Sequence, residues 1–416
     1  MRTVAGAATA LALITLALGT PPAHATRAVH AAPAGSDTVH EQVAPGVEYQ
    51  AFTLATPRGT TRVHVVTAHL DHPAVTAGLL HPGAVAARLP VSRMAQDAGA
   101  VAAVNGDFFN ISEEQHPGVQ ATGAPCGPVV LDGLAVKAAV PTAQRFGWEL
   151  PAGGSVEDVL GVGLDGRART GRLALDGRIR TPDGVRELGG LNQYALPVGS
   201  VGAFTARWGQ VSRARAACGS DERRADPCTT DTYEVTVREG HVVAVSDTPG
   251  SGAVPSGDTV LLGREAGARY LRELTPGAPV DVDYRLDAGD TPPFAFALGA
   301  HPLLQGREPL PGLDEVTAEP RTAAGIADGG RTLHLLATDG RNNASTGLTL
   351  GELARLLRSL GSDEGSYLDG GGSSTLATTT DTGHVGVRNA LDHQQERAVP
   401  NGIAITARPE APEARR

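Results

Sequence analysis

Lysine is nearly missing from this chain: Lys137 is the single example among 416 residues, so the 35 basic side chains are almost all arginine. With abundant Ala and Gly, that skew reads as genome composition and not as a functional signal. Aromatic residues make up only 4 per cent of the chain, too few for a lectin-like surface built by stacking. No extended basic run is present, and the net charge is -10. Nucleic acid and anionic membrane surfaces are therefore poor candidates for the main partner. The three cysteines include no Cys-x-x-Cys pair and no neighbouring His cluster, which argues against a zinc site. Only one long apolar run occurs, Val4 to Leu18, and its roughly 15 residues fall short of the ~20 that span a bilayer.

That run follows Arg2 and precedes Pro21-Pro22 and Ala23-His24-Ala25. The order charged, apolar, small is that of a secretory signal, expected at residues 1–25 with cleavage after Ala25. A twin-Arg pair is lacking, so the general secretion route is expected, and the mature protein is read as secreted without a membrane span. In an oxidising compartment Cys218 and Cys228 can close a short loop worth roughly 3 kcal/mol. Cys126 is left over as a buried, inert thiol.

About 390 residues remain, enough for one large or two ordinary domains with a full core. Residues 26–42 are rich in Ala, Pro, Gly and Ser and read as a flexible leader; 408–416 read as a disordered tail. Strands are expected from Val43 to Leu80, for example at Arg62-Val63-His64-Val65-Val66. A short helix over Val91 to Ala98, stopped by Gly99, precedes a buried strand at Val101 to Val104 that runs into Asn105-Gly106-Asp107-Phe108-Phe109. The same layout recurs later. Thr349-Leu350-Gly351-Glu352 is a capping-box signature, Leu353, Leu356, Leu357 and Leu360 share a helical face, and Gly361 ends the helix. The strand Ser366-Tyr367-Leu368 then delivers Asp369-Gly370-Gly371-Gly372-Ser373-Ser374. Each unit places an acid beyond the carboxyl end of a strand, where sheets tend to bind ligands. Hairpins are written at Tyr233–Val237 with His241–Val245, and at Thr322–Ala327 with Thr332–Ala337. The whole reads as an α+β fold with a mixed β-sheet core and a few packing helices. Residues 43–144 and 301–407 are its two catalytic parts, and 145–300 a β-rich insertion.

Three consecutive glycines cost backbone entropy unless something must approach the main chain closely. Free N–H groups of Gly370, Gly371 and Gly372 could form an anion nest, with hydroxyl donors from Ser373 and Ser374 and a charge from Asp369. Asp107 could instead cap a turn or bind a hard cation, so calcium stays open; no Asp-x-Asp-x-Asp loop accompanies it. Arg321 and Arg397 suit phosphate because a guanidinium matches two of its oxygens in one plane. His116, His301, His384 and His393 have no ligand spacing and read as solvated or satisfied. Asn110-Ile111-Ser112 and Asn343-Ala344-Ser345 fit the glycosylation triplet but are read as idle, and no Gly-x-Ser-x-Gly elbow appears.

Four segments together resemble the phosphodiester glycosidase family: Ala103-Val104-Asn105-Gly106-Asp107-Phe108-Phe109, Arg321-Thr322-Ala323-Ala324-Gly325, Ser345 to Ala354, and Leu368 to Ser374. The likeness covers about 45–135 and 300–405. One departure is Tyr367, where family members commonly carry Asn. The resemblance implies hydrolysis of a sugar-1-phosphodiester in a glycan or glycoconjugate, releasing free sugar and a phosphomonoester, with no cofactor required. On that basis Asp369 meets the oxocarbenium ion or activates water, and Asp107 orients substrate or acts as its partner. Asn105 and Thr322 are donors, Arg321, Arg397 and the glycine loop hold phosphate, and Phe108 or Phe109 walls the sugar. A metal-assisted phosphodiesterase cleaving P–O and a non-catalytic envelope polysaccharide-binding protein are the rival readings.

Overall fold

The protein is described from a computed structural model covering residues 38–342 and 345–408. The expected signal, most of the leader, the tail beyond Arg408 and Asn343-Ala344 lie outside the described residues.

Side-chain alternation builds the largest sheet. In Gly59–His69, Val63 and Val65 enter one buried cluster while Val66 and Ala68 enter another. A period of two does this when both faces of a strand are covered. The sheet has eight strands in the order Val39–Ala44, Val47–Thr56, Gly59–His69, Thr332–Thr338, Thr322–Ala327, Glu364–Tyr367, His301–Gln305 and Glu308–Pro309. Its first strand corrects an expectation. Val39 to Gln42 belong to a hairpin with Val47–Thr56, not to a flexible leader. Polar composition was the misleading cue, because an edge strand needs only one covered face and a pairing partner.

One face of this sheet is covered by helix Leu350–Ser359, through Leu353, Ala354, Leu356 and Leu357. The expected capping box is present: Thr349 Oγ1 accepts from Glu352 N at 3.2 Å, and the Glu352 carboxylate accepts from Thr349 N at 2.9 Å. Gly361 takes φ +96 just beyond the helix. Against the other face lies a five-stranded sheet in the order Val385–Val387, Leu376–Thr379, Ala102–Asn105, Gly402–Ala407, Val75–Leu80. Helix Val91–Asp97 and Gly99, at φ +63, precede its central strand.

The α+β class stands, but the mixed sheet does not. Both site-bearing sheets are antiparallel throughout, and among the described pairs only Gly190–Leu191 with Val201–Phe204 runs parallel. The expected edge of the insertion at residue 145 is not a break in hydrogen bonding. Strands Val129–Leu131 and Leu134–Lys137 share a sheet with Asp158–Gly163, Ala168–Arg172 and Phe294–Gly299. Cys218 and Cys228 are joined as a disulfide and Cys126 is free and buried. No described helix is long and apolar enough to cross a membrane.

Because the capping box satisfies donors at the start of a helix that closes a core, Thr349→Ala should lower the unfolding free energy by about 1 kcal/mol. Urea denaturation followed by circular dichroism measures it.

Candidate active site

The two acid-bearing loops meet where strands from different sheets end side by side. Strand Glu364–Tyr367 is registered against Thr322–Ala327 through Ala323 and Tyr367, and Leu368 N continues the pairing onto Thr322 O at 2.9 Å. Strand Ala102–Asn105 is held between Leu376–Thr379 and Gly402–Ala407. Its next residue, Gly106, accepts from Asp369 N at 2.8 Å. Asn105 locks the junction from a fully buried position: its Nδ2 donates to Asp369 O at 2.7 Å, while its Oδ1 accepts from Thr322 Oγ1 at 2.8 Å and Thr375 N at 3.0 Å. Asn105 and Thr322 were expected to donate to a substrate. They spend those groups on each other and on the main chain.

Asp369 sits at the floor of a cleft of about 410 Å³ lined also by Phe108, Phe109, Phe146, Trp148, the three glycines, Glu319, Arg341, His393 and Arg397. It touches the cleft yet is otherwise enclosed by protein, and this desolvation pushes its carboxyl up to about 7. Ser373 and Arg397 oppose the shift, while the nearby Asp107 charge adds to it. Arg397 Nη1 donates to Ser373 Oγ at 3.2 Å, and Ser373 in turn hydrogen-bonds Asp369.

The glycines serve this arrangement differently from the anion nest expected of them. Gly371 N donates to Pro320 O at 2.9 Å, Ser373 N to Gly370 O and Ser374 N to Gly371 O, both at 3.1 Å. Of the glycine donors, Gly371 N is thus spent on Pro320, outside the loop, while Gly370 N serves the Asp369 carboxylate. Gly371 needs its φ of +57, and a Cβ on Gly372 would collide with the Arg397 guanidinium and approach His393. The loop is thus small so that a cation can lie on it. Ser374 is buried outside the cleft lining.

Asp107 is 2 % exposed and does not line the cleft. Its Oδ2 accepts from Gly127 N at 2.6 Å in a slot with Gly299, where an added Cβ would come within 2.5 Å of that oxygen; its Oδ1 has no hydrogen-bond partner. Burial, opposed by Gly127, Lys137 and Arg145, holds this carboxyl at about 6. The lone lysine, discounted from composition, is fully buried beside it. Lys137 Nζ donates to Cys126 O, Gly127 O and Ala138 O at 3.0, 2.9 and 2.6 Å, fixing the turn that serves Asp107. Burial brings its ammonium down to about 8.

Arg321 departs from expectation. Its Nε donates to Leu348 O at 2.9 Å and its Nη2 to Thr317 O at 2.8 Å, and the side chain stands outside the cleft lining. Main-chain carbonyls occupy the fork intended for phosphate. Phe108 and Phe109 do wall the cleft, Phe108 packing at 5.5 Å on His301 and at 5.9 Å edge-on against Tyr367. Tyr367, the departure from the family pattern, therefore forms part of an aromatic backing. His301 is buried with neither ring nitrogen partnered, and burial lowers it to about 3, so it is neutral. Arg341, His393, Glu319, Phe146 and Trp148 were not singled out for the site in the sequence. Lone residues on distant loops give no spacing signal. Arg341 is engaged by Asp392 at 2.6 Å, whereas Arg397 has no carboxylate within ion-pair distance among the described residues. Three side chains of metal-ligand type, those of His116, Cys218 and Cys228, come within 4.8 Å of one another, but two of them are the disulfide.

Residues 231–406 match the family described as phosphodiester glycosidase, a span that holds Arg321, Asp369, the glycine loop and Arg397 but not Asn105 to Phe109. Comparison with curated proteins gives no match. Among solved structures, a hypothetical protein from Synechocystis is similar with a TM-score of 0.67 and 21% identity; the chain spans 64% of that protein's length, with 90% of this chain covered. A candidate exported protein of Burkholderia pseudomallei K96243 has a TM-score of 0.62 and 25% identity, with 84% of this chain and 74% of that one covered. The catalytic domain of zebrafish N-acetylglucosamine-1-phosphodiester alpha-N-acetylglucosaminidase, auto-inhibited by its pro-peptide, aligns at 15% identity and a TM-score of 0.44 over 89% of this chain and 88% of that one.

A carboxyl raised in the folded state binds its proton more tightly there than in the unfolded chain, so its burial destabilises as pH rises. Between the unfolded value near ~4 and the folded value of about 7 for Asp369, wild-type stability should fall. Asp369→Asn should melt above wild type at pH 8, with the gap closing toward pH 4. Melting curves across that range measure it, and a variant that melts below wild type at pH 8 contradicts the assignment.

Proposed function

We propose that this protein, matched over residues 231–406 to the phosphodiester glycosidases, hydrolyses a sugar-1-phosphodiester at the C1–O bond. The observation that carries the reading is Asp369, a carboxyl poised at about 7 in a cleft that also presents Arg397 and His393. The C1–O electron pair leaves with the phosphate, giving a phosphomonoester and an oxocarbenium-like centre. A phosphomonoester departs far more readily than a sugar alcohol, so little protonation is needed and charge stabilisation by Arg397 supplies much of the rate. Ionised Asp369 takes a proton from the attacking water, whose oxygen joins C1 and leaves with the free sugar. Asp107, closed off from the cleft, acts through Asp369: burial is the main cause that lifts that carboxyl toward neutrality, and the like charge of Asp107 adds to it. The aromatic wall of Phe108, Phe109 and Trp148 suits the apolar face of a sugar ring.

A metal is not needed in this reading. The contacts made are with donors, Gly127 N on Asp107 Oδ2 and Ser373 and Gly370 on Asp369, and these hold the two carboxylates without a cation. Export is supported by the charged, apolar and small order of the first 25 residues, by the disulfide, and by the exported character assigned to the Burkholderia relative. A glycan of the cell envelope or an exopolysaccharide bearing phosphodiesters is the substrate class.

Hydrolysis of a panel of sugar-1-phosphodiesters in oxygen-18 water tests the bond cleaved. Label is expected in the sugar; label in the phosphate would instead establish P–O cleavage, and loss of turnover on adding chelator would establish that a metal takes part. Asp369→Asn should lower kcat by about 10²–10⁴-fold. Wild-type kcat/KM should rise with pH through about 7, and Asp107→Asn should move that midpoint downward because a like charge is removed. An unmoved midpoint would separate the two acids.

A further inference from the structure

Arg145 stands out among the arginines for what it does not touch. Its Nε and Nη2 are buried without a hydrogen-bond partner, and among the described residues no carboxylate lies within ion-pair distance. Leaving such donors unmade is costly, on the order of 1–3 kcal/mol each. Its charge is nevertheless felt by Asp107, His301 and Tyr367, which places the guanidinium near Asp107 and near the two rings on which Phe108 packs. The next three residues, Phe146, Gly147 and Trp148, line the cleft.

The main chain here is gripped by the disulfide loop. Arg224, between Cys218 and Cys228, donates through Nη1 to Arg145 O at 2.8 Å and lies 4.0 Å over the Phe146 ring. Gln144 Nε2 donates to Ser220 O at 2.6 Å and Arg223 O at 3.2 Å, and Gln144 Oε1 accepts from Arg215 at 3.0 Å. His116 pairs with Asp226 O at 2.8 Å from the other side. A loop closed by a covalent bond thus holds one cleft-lining segment by side chains and carbonyls. A guanidinium with an open fork, whose main chain is held this firmly next to cleft-lining Phe146 and whose charge reaches Asp107, has the chemistry of an oxyanion receptor.

We propose that Arg145 contacts the substrate by taking a phosphoryl oxygen, and that the Cys218–Cys228 loop presents it, with Arg224 as the positioning residue. The assignment deepens the glycosidase reading and rests on it for the identity of the anion. It also moves the inner phosphate contact from Arg321 to Arg145.

Inorganic phosphate is the probe, titrated into the full chain and followed by calorimetry and by tryptophan fluorescence. Trp148 lines the cleft and is 40% exposed, whereas Trp208, the other of the two tryptophans, is buried. Arg145→Gln should raise the phosphate Kd by about tenfold or more, as expected for a lost charge-assisted contact, and Arg145→Lys should recover part of it. Arg224→Gln should raise Kd several-fold and alter Trp148 emission, with Arg224→Lys restoring both. Dithiothreitol, which passes two electrons to the disulfide and closes to its own cyclic disulfide, should do the same while far-ultraviolet circular dichroism stays unchanged. A folded Arg145→Gln variant that binds phosphate like wild type overturns the assignment, as does a wild type that binds none at about 10 mM. A wild type that binds phosphate through Arg145 but hydrolyses no sugar-1-phosphodiester overturns the glycosidase reading and leaves this one standing.

Discussion

One buried amide ties the molecule together where its chemistry is proposed to occur. Asn105 ends a strand of one sheet, accepts from Thr322 of another, and donates to the carbonyl of Asp369. No water is available to substitute for such partners at a fully buried site, so all its contacts must be made at once. That requirement fixes the distance between two loops more than 260 positions apart, as the separation along the chain of the Asn105–Asp369 bond shows. Gly106 completes the joint. Asn401 presses against it so closely that a side chain there would meet the Asn401 amide and backbone, while Asn401 Oδ1 accepts from Asp107 N.

From this joint follows an electrostatic tension. Two carboxyls lie near each other under burial that favours their neutral forms, and the nearby cations are held slightly apart from them: Lys137 faces three carbonyls, and Arg397 reaches Asp369 through Ser373. A direct ion pair would have driven Asp369 fully anionic and far below neutrality. Burial instead raises it to about 7, against the lowering pull of the Ser373 hydroxyl and of Arg397 behind it. Stability is given up for that poise, the usual exchange at functional sites.

Much of the framework was legible because local patterns and their tertiary setting agree. The capping box before Leu350, the glycines closing both helices and the alternation in Gly59–His69 each specify one local answer. Acids placed after Ala102–Asn105 and Glu364–Tyr367 were legible for the same reason. What was not legible is which atoms the site residues spend on the protein itself. Arg321 looks like a phosphate ligand until Leu348 and Thr317 carbonyls take its fork, and the glycine loop looks like an anion nest until Pro320 takes the Gly371 N–H and Arg397 packs on Gly372. Lys137 shows the reverse error: a residue dismissed as compositional is the buried cation behind Asp107. Hydrogen-bond spending is a three-dimensional balance with no one-dimensional spacing to betray it.

Asymmetry between the two acids narrows the chemistry further. Were both carboxyls open to the cleft, either could attack C1 or serve as acid, and the pair alone would not separate nucleophile from base. Of these two acids only Asp369 reaches the cleft, and the other carboxyl in the lining, Glu319, is paired with the Arg341 guanidinium at 3.7 Å rather than free to protonate a leaving group. A site with one usable carboxyl and strong anion stabilisation is suited to substrates whose leaving group already carries stable negative charge. Ordinary glycosides, with poor alkoxide leaving groups, need the missing acid; glycosyl phosphates do not. A cleft whose second carboxyl, Glu319, is tied to Arg341 therefore favours phosphate esters over ordinary glycosides.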